Sequence, residues 1–377
     1  MPTPFPDPTS AGTVIVGISG GVDSAVAALL LQQSGYRIQG LFMSNWDDEG
    51  PGSSDALGRH YCTVAGDYQD ARQVCDKLNI PLHRANFTKE YSQKVFAHFL
   101  SEYSAGRTPN PDVLCNREIK FGVCLEYLQR LGGSWIATGH YARVAHAPEG
   151  SQLLKAVDGH KDQSYFLHSI VPAALARTLF PLGELRKSEV RKLAHAAGLP
   201  VFDKPDSTGI CFVGERPFQE FLSRYLATQP GLIETDQRRV VGEHRGLHFY
   251  TLGQRSGLGV GGRAGSAAAP WYVADKDMER NALIVVQNPD HPLLMTLNFT
   301  VQNPTWLGPP PDLSAPFVCT VKTRYRQGDL ACKVARRADG VLHVSLREPA
   351  RAVTPGQYAV FYKNPHCLGG GAIANRL

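Results

Sequence analysis

The stretch that most constrains this chain is TVIVGISGGVDSAVAALLLQQSGY, residues 13–36. TVIVGIS (13–19) is short, apolar and β-branched, and reads as a buried strand. Beyond it, Val22, Val26, Leu29 and Leu30 recur at helical spacing, and Gly35 is a plausible stop. SGGVDS (19–24) joins the two. Gly20 and Gly21 permit a tight turn and close approach of a ligand, Ser19 and Ser24 offer hydroxyls, and the helix start presents unpaired N–H groups. No Lys follows the last glycine, so this is not a Walker-type loop. A bare Gly-Gly turn is usually only a turn. The full string between a strand and a helix is far more specific, and it points to an anion site at the edge of a parallel sheet.

The alternation continues. RIQGLFM (37–43) reads as a strand, YQDARQVCDKLNI as a helix, PLHRANF (81–87) as a strand, TKEYSQKVFAHFLSEYSA and IKFGVCLEYLQRLG as helices, and SWIATGH (134–140) as a strand. Strands alternating with helices imply an α/β fold, a parallel sheet covered on both faces. From Leu179 to about Pro230 the chain looks helical and irregular, with KSEVRKLAHAAGLP a short basic helix. Past Arg238 the helical period is lost, and runs such as WYVAD, ALIVVQ, FVCTVKTRY, CKVARR, VLHVSL and QYAVFY follow closely. This predicts one or two small β-barrels. The expected organisation is a disordered lead-in (1–12), an α/β domain (13–178), a small helical linker domain (179–234) and a C-terminal β-barrel region (235–377). GGRAGSAAAP (261–270) reads as a flexible loop.

No apolar run reaches the ~20 residues of a membrane span. The N-terminus, MPTPFPDPTS, has neither a signal-peptide pattern nor any Lys or Arg, so the expectation is a cytoplasmic protein. None of the eight cysteines forms a C-x-x-C pair, which argues against a zinc ribbon or a thioredoxin-like motif. The net charge of +5 is uneven. Lys322, Arg324, Arg326, Lys333, Arg336, Arg337, Arg347 and Arg351 lie in one segment with only Asp329, Asp339 and Glu348. Such a stretch suits a polyanion such as nucleic acid or, equally, a solvated sheet face.

Two cysteines sit in unusual settings. In GRTPNPDVLCNREIKFG (106–122), Pro109 and Pro111 interrupt regular structure, so Asn110, Asp112 and Cys115 are expected on a loop, although Cys115 could equally start a helix and face the core. In STGICFVGER (207–216), Ile210 and Phe212 invite a buried reading of Cys211, while Gly209 and Gly214 bracket it as a loop site.

SGGVDS resembles the pyrophosphate loop of the PP-loop ATP pyrophosphatases. Together with NPDVLCNREIKF and DSTGICFVGER it resembles the bacterial tRNA-specific 2-thiouridylases, the MnmA/TrmU group. GLFMSNW (40–46), ATGHY (137–141), KDQSYFL (161–167), TLGQRSGLG (251–259), PWYV (270–273), VKTRYRQ (321–327) and CLGGG (367–371) extend the likeness almost end to end, and EGPGSSDALGR (49–59) departs from it. The resemblance implies an adenine-nucleotide alpha hydrolase-like domain in which Gly17, Ile18, Ser19, Gly20, Gly21, Val22, Asp23 and Ser24, with Met43 and Gly139, hold ATP and its Mg²⁺. Asp23 looks electrostatically wrong there unless it meets Mg²⁺ or caps the helix.

The implied reaction replaces the C2 oxygen of wobble uridine 34 of Lys, Glu and Gln tRNAs with sulfur. Adenylation makes that oxygen a leaving group, and a persulfide supplies the sulfur. By resemblance Cys211 carries the persulfide, Cys115 is the nucleophile, a Cys115–Cys211 disulfide results, and Asp112 is the general acid/base. Asn110, Pro111 and Asp112 match contacts to the target base. His140, Lys161, Asp162, Gln163, Arg324, Tyr325 and Gln357 match further tRNA contacts. No resident metal site is expected. A cysteine desulfurase or sulfur-relay protein would deliver sulfur to a monomeric enzyme. The rivals are an amide-forming ATP pyrophosphatase, which needs no cysteine pair, and a tRNA-binding protein that has lost catalysis.

Overall fold

A computed structural model describes residues 5–46, 64–206, 218–260 and 269–377. β1 (Thr13–Gly17) feeds α1 (Val22–Gln33) through the glycine turn. β2 (Arg37–Ser44) runs parallel to β1, with Val14 opposite Ile38 and Gly17 opposite Leu41. α2 (Val64–Leu78) leads to β3 (Leu82–Asn86). Helices over 88–104 and 111–130 precede β4 (Gly133–Ala137), which pairs with the other side of β1. A hairpin follows, β5 (Ala142–Ala145) and β6 (Gln152–Lys155), and then the short β7 (Thr178–Leu179). Among the described residues the first sheet has the order β3-β2-β1-β4-β7, and every pair is parallel.

Strand alternation sends β1 side chains to two cores. Val14 and Val16 join α1, α2 and the helix Lys187–Ala196, while Ile15 joins the helices over 88–104 and 111–130. All three are fully buried, each side chain contributing roughly 1.5–3 kcal/mol relative to exposure.

The second half is β, as its sequence pattern predicts. β8 (Gly231–Thr235), β9 (Val240–His244), β10 (Tyr272–Asp277) and β11 (Ala282–Val286) form a sheet in the order β10-β11-β8-β9. β12 (Met295–Trp306), β13 (Phe317–Lys322), β14 (Leu330–Arg336), β15 (Leu342–Arg351), β16 (Tyr358–Lys363) and β17 (His366–Arg376) pair around to β12 again and close a six-stranded antiparallel barrel. The glycines of CLGGG allow that closure. A Cβ at Gly369 would lie 2.1 Å from the Thr305 carbonyl oxygen, and one at Gly370 2.4 Å from that of Ala359.

Three features differ from expectation. The β5–β6 hairpin, which the sequence pattern does not announce, leaves the α/β half and extends the barrel sheet through Leu154–His366 and Leu153–Cys367 pairs. The boundary expected after residue 178 falls inside β7, and the one after 234 inside β8. Residues 5–12, expected to be disordered, are packed instead. The Asp7 carbonyl accepts from the Ser10 and Ala11 amides, the Tyr36 hydroxyl donates to Pro6, and Ala11 is buried. The expected loop at 261–270 lies mostly outside the described residues, as do residues 49–59. No helix among the described residues is long and apolar enough to cross a membrane.

Candidate active site

The SGGVDS loop crosses the carboxyl end of β1, where open α/β sheets place ligands. Gly20 has φ +77°, and a Cβ there would sit 2.3 Å from the Asp67 carbonyl oxygen. A Cβ at Gly21 would meet only Ser19 Oγ, at 3.5 Å, so the loop is open on that side. Ser24 Oγ accepts from the Ser19 amide at 3.1 Å and donates to the Gly21 carbonyl at 3.0 Å, which fixes the turn. Met43 lies beside it, its Cε 3.5 Å from where a Gly17 Cβ would be. Gly139, just past β4, backs onto the loop, and its Cβ would lie 2.7 Å from Asp23 C and Ser24 N. The residues expected to hold ATP are therefore one contiguous cradle, which fits a polyphosphate.

Asp23 does not cap α1. The cap position is Gly21, which has no side chain to accept from the first amides of the helix, and the Asp23 carboxylate makes no cap bond. That carboxylate instead accepts from Lys187 Nζ, at 2.7 Å to Oδ1 and 2.8 Å to Oδ2, and from the Tyr141 hydroxyl at 2.9 Å. Burial, with Asp23 second, raises the Tyr141 phenol, so it stays protonated and donates. Lys187 also reaches Asp206 Oδ1 at 2.7 Å, and Asp206 further takes Lys161 at 2.7 Å and Arg191 at 2.7 Å. Burial works against ionisation of Asp206, but Lys161 and Lys187 outweigh it and hold the carboxyl well below the usual range. Lys204 donates to the Gly20 carbonyl at 3.1 Å and to Asp67 and Asp70. The chain just before residues 207–217 is thus pinned to the SGGVDS loop. Cys211 lies outside the described residues.

Cys115 lies on a helix. Pro111 occupies its first turn, where the missing N–H costs nothing, and Asn110 caps it by accepting from the Asp112 amide at 3.2 Å. The loop expected from the two prolines is corrected accordingly: Asp112 and Cys115 stand on the opening turns. From Cys115 to Val123 the helix is wound with π-type hydrogen bonding, a form frequent at functional sites. Cys115 itself is fully buried among Val113, Leu114 and Ile119.

His140 directly follows Gly139, which backs onto the SGGVDS loop. It is partly buried, its Nδ1 is 2.7 Å from Thr138 Oγ1, and its ring centroid is 6.0 Å from that of Phe121 on the Cys115 helix. Desolvation, with the charge of Lys120 second, holds its imidazole well below the usual range, so it is neutral. The described residues contain no group of three or more His, Cys, Asp or Glu able to hold a metal.

Comparison with known proteins identifies the family. The "tRNA methyl transferase HUP domain" model matches residues 12–215, the corresponding PRC-barrel model 219–287, and the "Aminomethyltransferase beta-barrel domain" model 296–373. The tRNA-specific 2-thiouridylase MnmA of Chromohalobacter salexigens is 55% identical over 366 residues, covering 97% of this chain and 93% of the relative. That of Vibrio cholerae is 53% identical over 367 residues, covering 97% and 96%, and that of Sodalis glossinidius 54% over 364, covering 96% of each. The chain belongs to the MnmA family of tRNA-specific 2-thiouridylases.

In this MnmA-family chain the residues matched to tRNA contacts are distributed unequally. Asn110, Pro111 and Asp112 cluster at the mouth of the Cys115 helix. Lys161 is paired with Asp206, and Gln163 accepts from the Tyr141 amide at 2.9 Å. Asp162 is buried, accepting from the Ala156 and Ser164 amides. Arg324 Nη2 donates to the carbonyls of Leu252 and Ala352 and to Thr354 Oγ1, and the Tyr325 ring packs 4.4 Å from Phe166. Gln357 donates to the Thr108 carbonyl at 2.8 Å, so the barrel holds the loop that leads to Asn110. Of the basic segment, Arg326, Lys333, Arg336, Arg337, Arg347 and Arg351 are exposed.

Sequence reasoning overlooked Lys187, Tyr141 and Lys276, because no local pattern sets them apart. Lys276 on β10 donates to the Gly106 carbonyl at 2.9 Å, a second hold on the loop, and burial pushes its ammonium down to about 8. The unfolded chain keeps the ordinary lysine value of about 10.5, so between these limits it binds more protons than the folded chain. Stability from this group is therefore present above about pH 10.5 and is lost as pH falls toward 8. Thermal unfolding of wild type against Lys276→Met is expected to shift in favour of wild type from pH 8 to pH 10. A pH-independent difference would contradict the assignment.

Proposed function

We infer that this chain carries out the reaction for which its family is named, thiolation of uridine at C2 in tRNA. The observation that supports it is 55% identity with an MnmA 2-thiouridylase over 97% of a chain in which Gly139 packs on the SGGVDS loop and the adjacent His140 meets Phe121 of the Cys115 helix. In the proposed sequence, the uridine C2 oxygen attacks the α-phosphorus of ATP and pyrophosphate leaves. Magnesium enters with the nucleotide. The Gly17–Ser24 loop positions the phosphates, and Met43 and Gly139 border the nucleotide.

Sulfur then arrives from a Cys211 persulfide. The Cys115 thiolate attacks the inner sulfur and forms a Cys115–Cys211 disulfide. The released hydrosulfide attacks C2, AMP departs with the oxygen, and an external thiol reductant reopens the disulfide. Asp112 moves the proton at the base. To reach C2 the wobble base leaves its stack, and Asn110, Pro111 and Asp112 receive it. The exposed cations of the barrel, Arg326 to Arg351, meet the tRNA backbone. A cysteine desulfurase or relay protein loads Cys211.

Mass spectrometry of nucleosides from unmodified Lys, Glu or Gln tRNA, incubated with the protein, Mg-ATP and a persulfide donor, tests this reading. Conversion of wobble uridine to 2-thiouridine, with AMP and pyrophosphate formed in step, is expected. ATP cleavage with amide formation, or tRNA binding without turnover, would replace it by one of the two rivals.

A further inference from the structure

The adenylation reading, on which this inference rests, leaves a carboxylate in a loop that must receive a polyanion. The surroundings of Asp23 supply a reason. Lys187 opens the helix Lys187–Ala196, which packs against α1, so its backbone is fixed to the element whose N-terminus forms the loop. Its ammonium meets three carboxylate oxygens, two from Asp23 and one from Asp206, one for each of its donors. Its side chain is 13% exposed, against 33% for each carboxylate, so the cation is the enclosed member of the group.

The two carboxylates are not equivalent. Asp206 keeps Lys161 and Arg191 if Lys187 turns away. Among the described residues, Asp23 has Lys187 as its cation and the Tyr141 hydroxyl as its other side-chain partner. A phosphate oxygen entering the loop can replace Asp206 as the third acceptor while Asp23 retains the lysine, and the number of charge-assisted hydrogen bonds is conserved.

We propose that Lys187 is a phosphate-binding residue of the adenylation site, that Asp23 is the seat that aims it, and that Asp206 ties it to the segment leading to Cys211. Asp23 is thereby a positioning residue that acts through Lys187, and its charge is compensated before any phosphate approaches.

The test is calorimetric titration of the full chain, with tRNA present throughout, using the α,β-methylene analogue of ATP, which cannot release pyrophosphate, and AMP. Lys187→Met is expected to weaken the analogue at least about tenfold and AMP by less than about twofold. Lys187→Arg, which keeps the charge on a folded site, is expected to lose less. Adding Asp23→Asn to Lys187→Met should recover part of the loss, because the uncompensated carboxylate is gone. Unchanged analogue affinity in Lys187→Met overturns the proposal. So does a further loss on adding Asp23→Asn, which would mark Asp23 as a ligand of the nucleotide's metal. Failure of wild type to bind the analogue at all would instead remove the nucleotide reading.

Discussion

Replacing Cys115 by serine is expected to reduce sulfur transfer by about three orders of magnitude or more, while tRNA-dependent release of pyrophosphate from ATP continues. A hydroxyl is a far weaker nucleophile toward a persulfide than a thiolate, and it cannot form the disulfide that releases the sulfur. Cys115 is fully buried in the core beneath the opening turns of its helix. A serine there can bond to the carbonyl one turn back, so the stability cost stays near ~1–3 kcal/mol. Cys124, the residue directly after the π-wound segment, is the control. Burial pushes its thiol up to about 12, which leaves it inert at neutral pH, and Cys124→Ser is expected to retain sulfur transfer. Nucleoside analysis together with pyrophosphate release separates the two steps. If Cys115→Ser thiolates at the wild-type rate, the proposed chemistry is wrong.

Gly139→Ala is expected to lower ATP-dependent turnover by about 100-fold or more, with the Michaelis constant for ATP rising. The new methyl would stand 2.7 Å from Asp23 C and Ser24 N. Both are backbone atoms at the start of α1, and neither can move without shifting the loop. The overpacking itself costs about 1–3 kcal/mol, which a domain of this size survives. The loss should therefore appear in nucleotide kinetics before it appears in folding. Gly159→Ala, where a methyl would meet nothing within 4 Å, is expected to be neutral. Steady-state kinetics at varied ATP, with a thermal melt for each variant, check both statements. Near-normal kinetics in Gly139→Ala would show that the loop does not cradle the nucleotide.

Much of the architecture was legible because its signals are local. TVIVGIS, Val22–Leu30 and the later short strands carry periods of two or 3.6 that a chain reveals over a few residues. The β5–β6 hairpin was not legible. Four-residue strands carry too little alternation, and β17, the strand on which β6 pairs, lies more than two hundred residues away. The helix that begins at Pro111 was masked by its own signature, since a proline breaks a helix interior but suits its first turn.

The chain's order of residues determined which groups are available: a glycine turn with two hydroxyls after a buried strand, a cysteine four residues past a helix-starting proline, a basic run in a β region. Their meeting was decided by the fold. Lys187 and Asp23 are 164 positions apart, and Gln357 and Thr108 are 249 apart. Periodicity specifies the face a side chain takes on its own element. It carries no record of how the sheet order β3-β2-β1-β4-β7 and the closure of the barrel bring distant faces within hydrogen-bond reach.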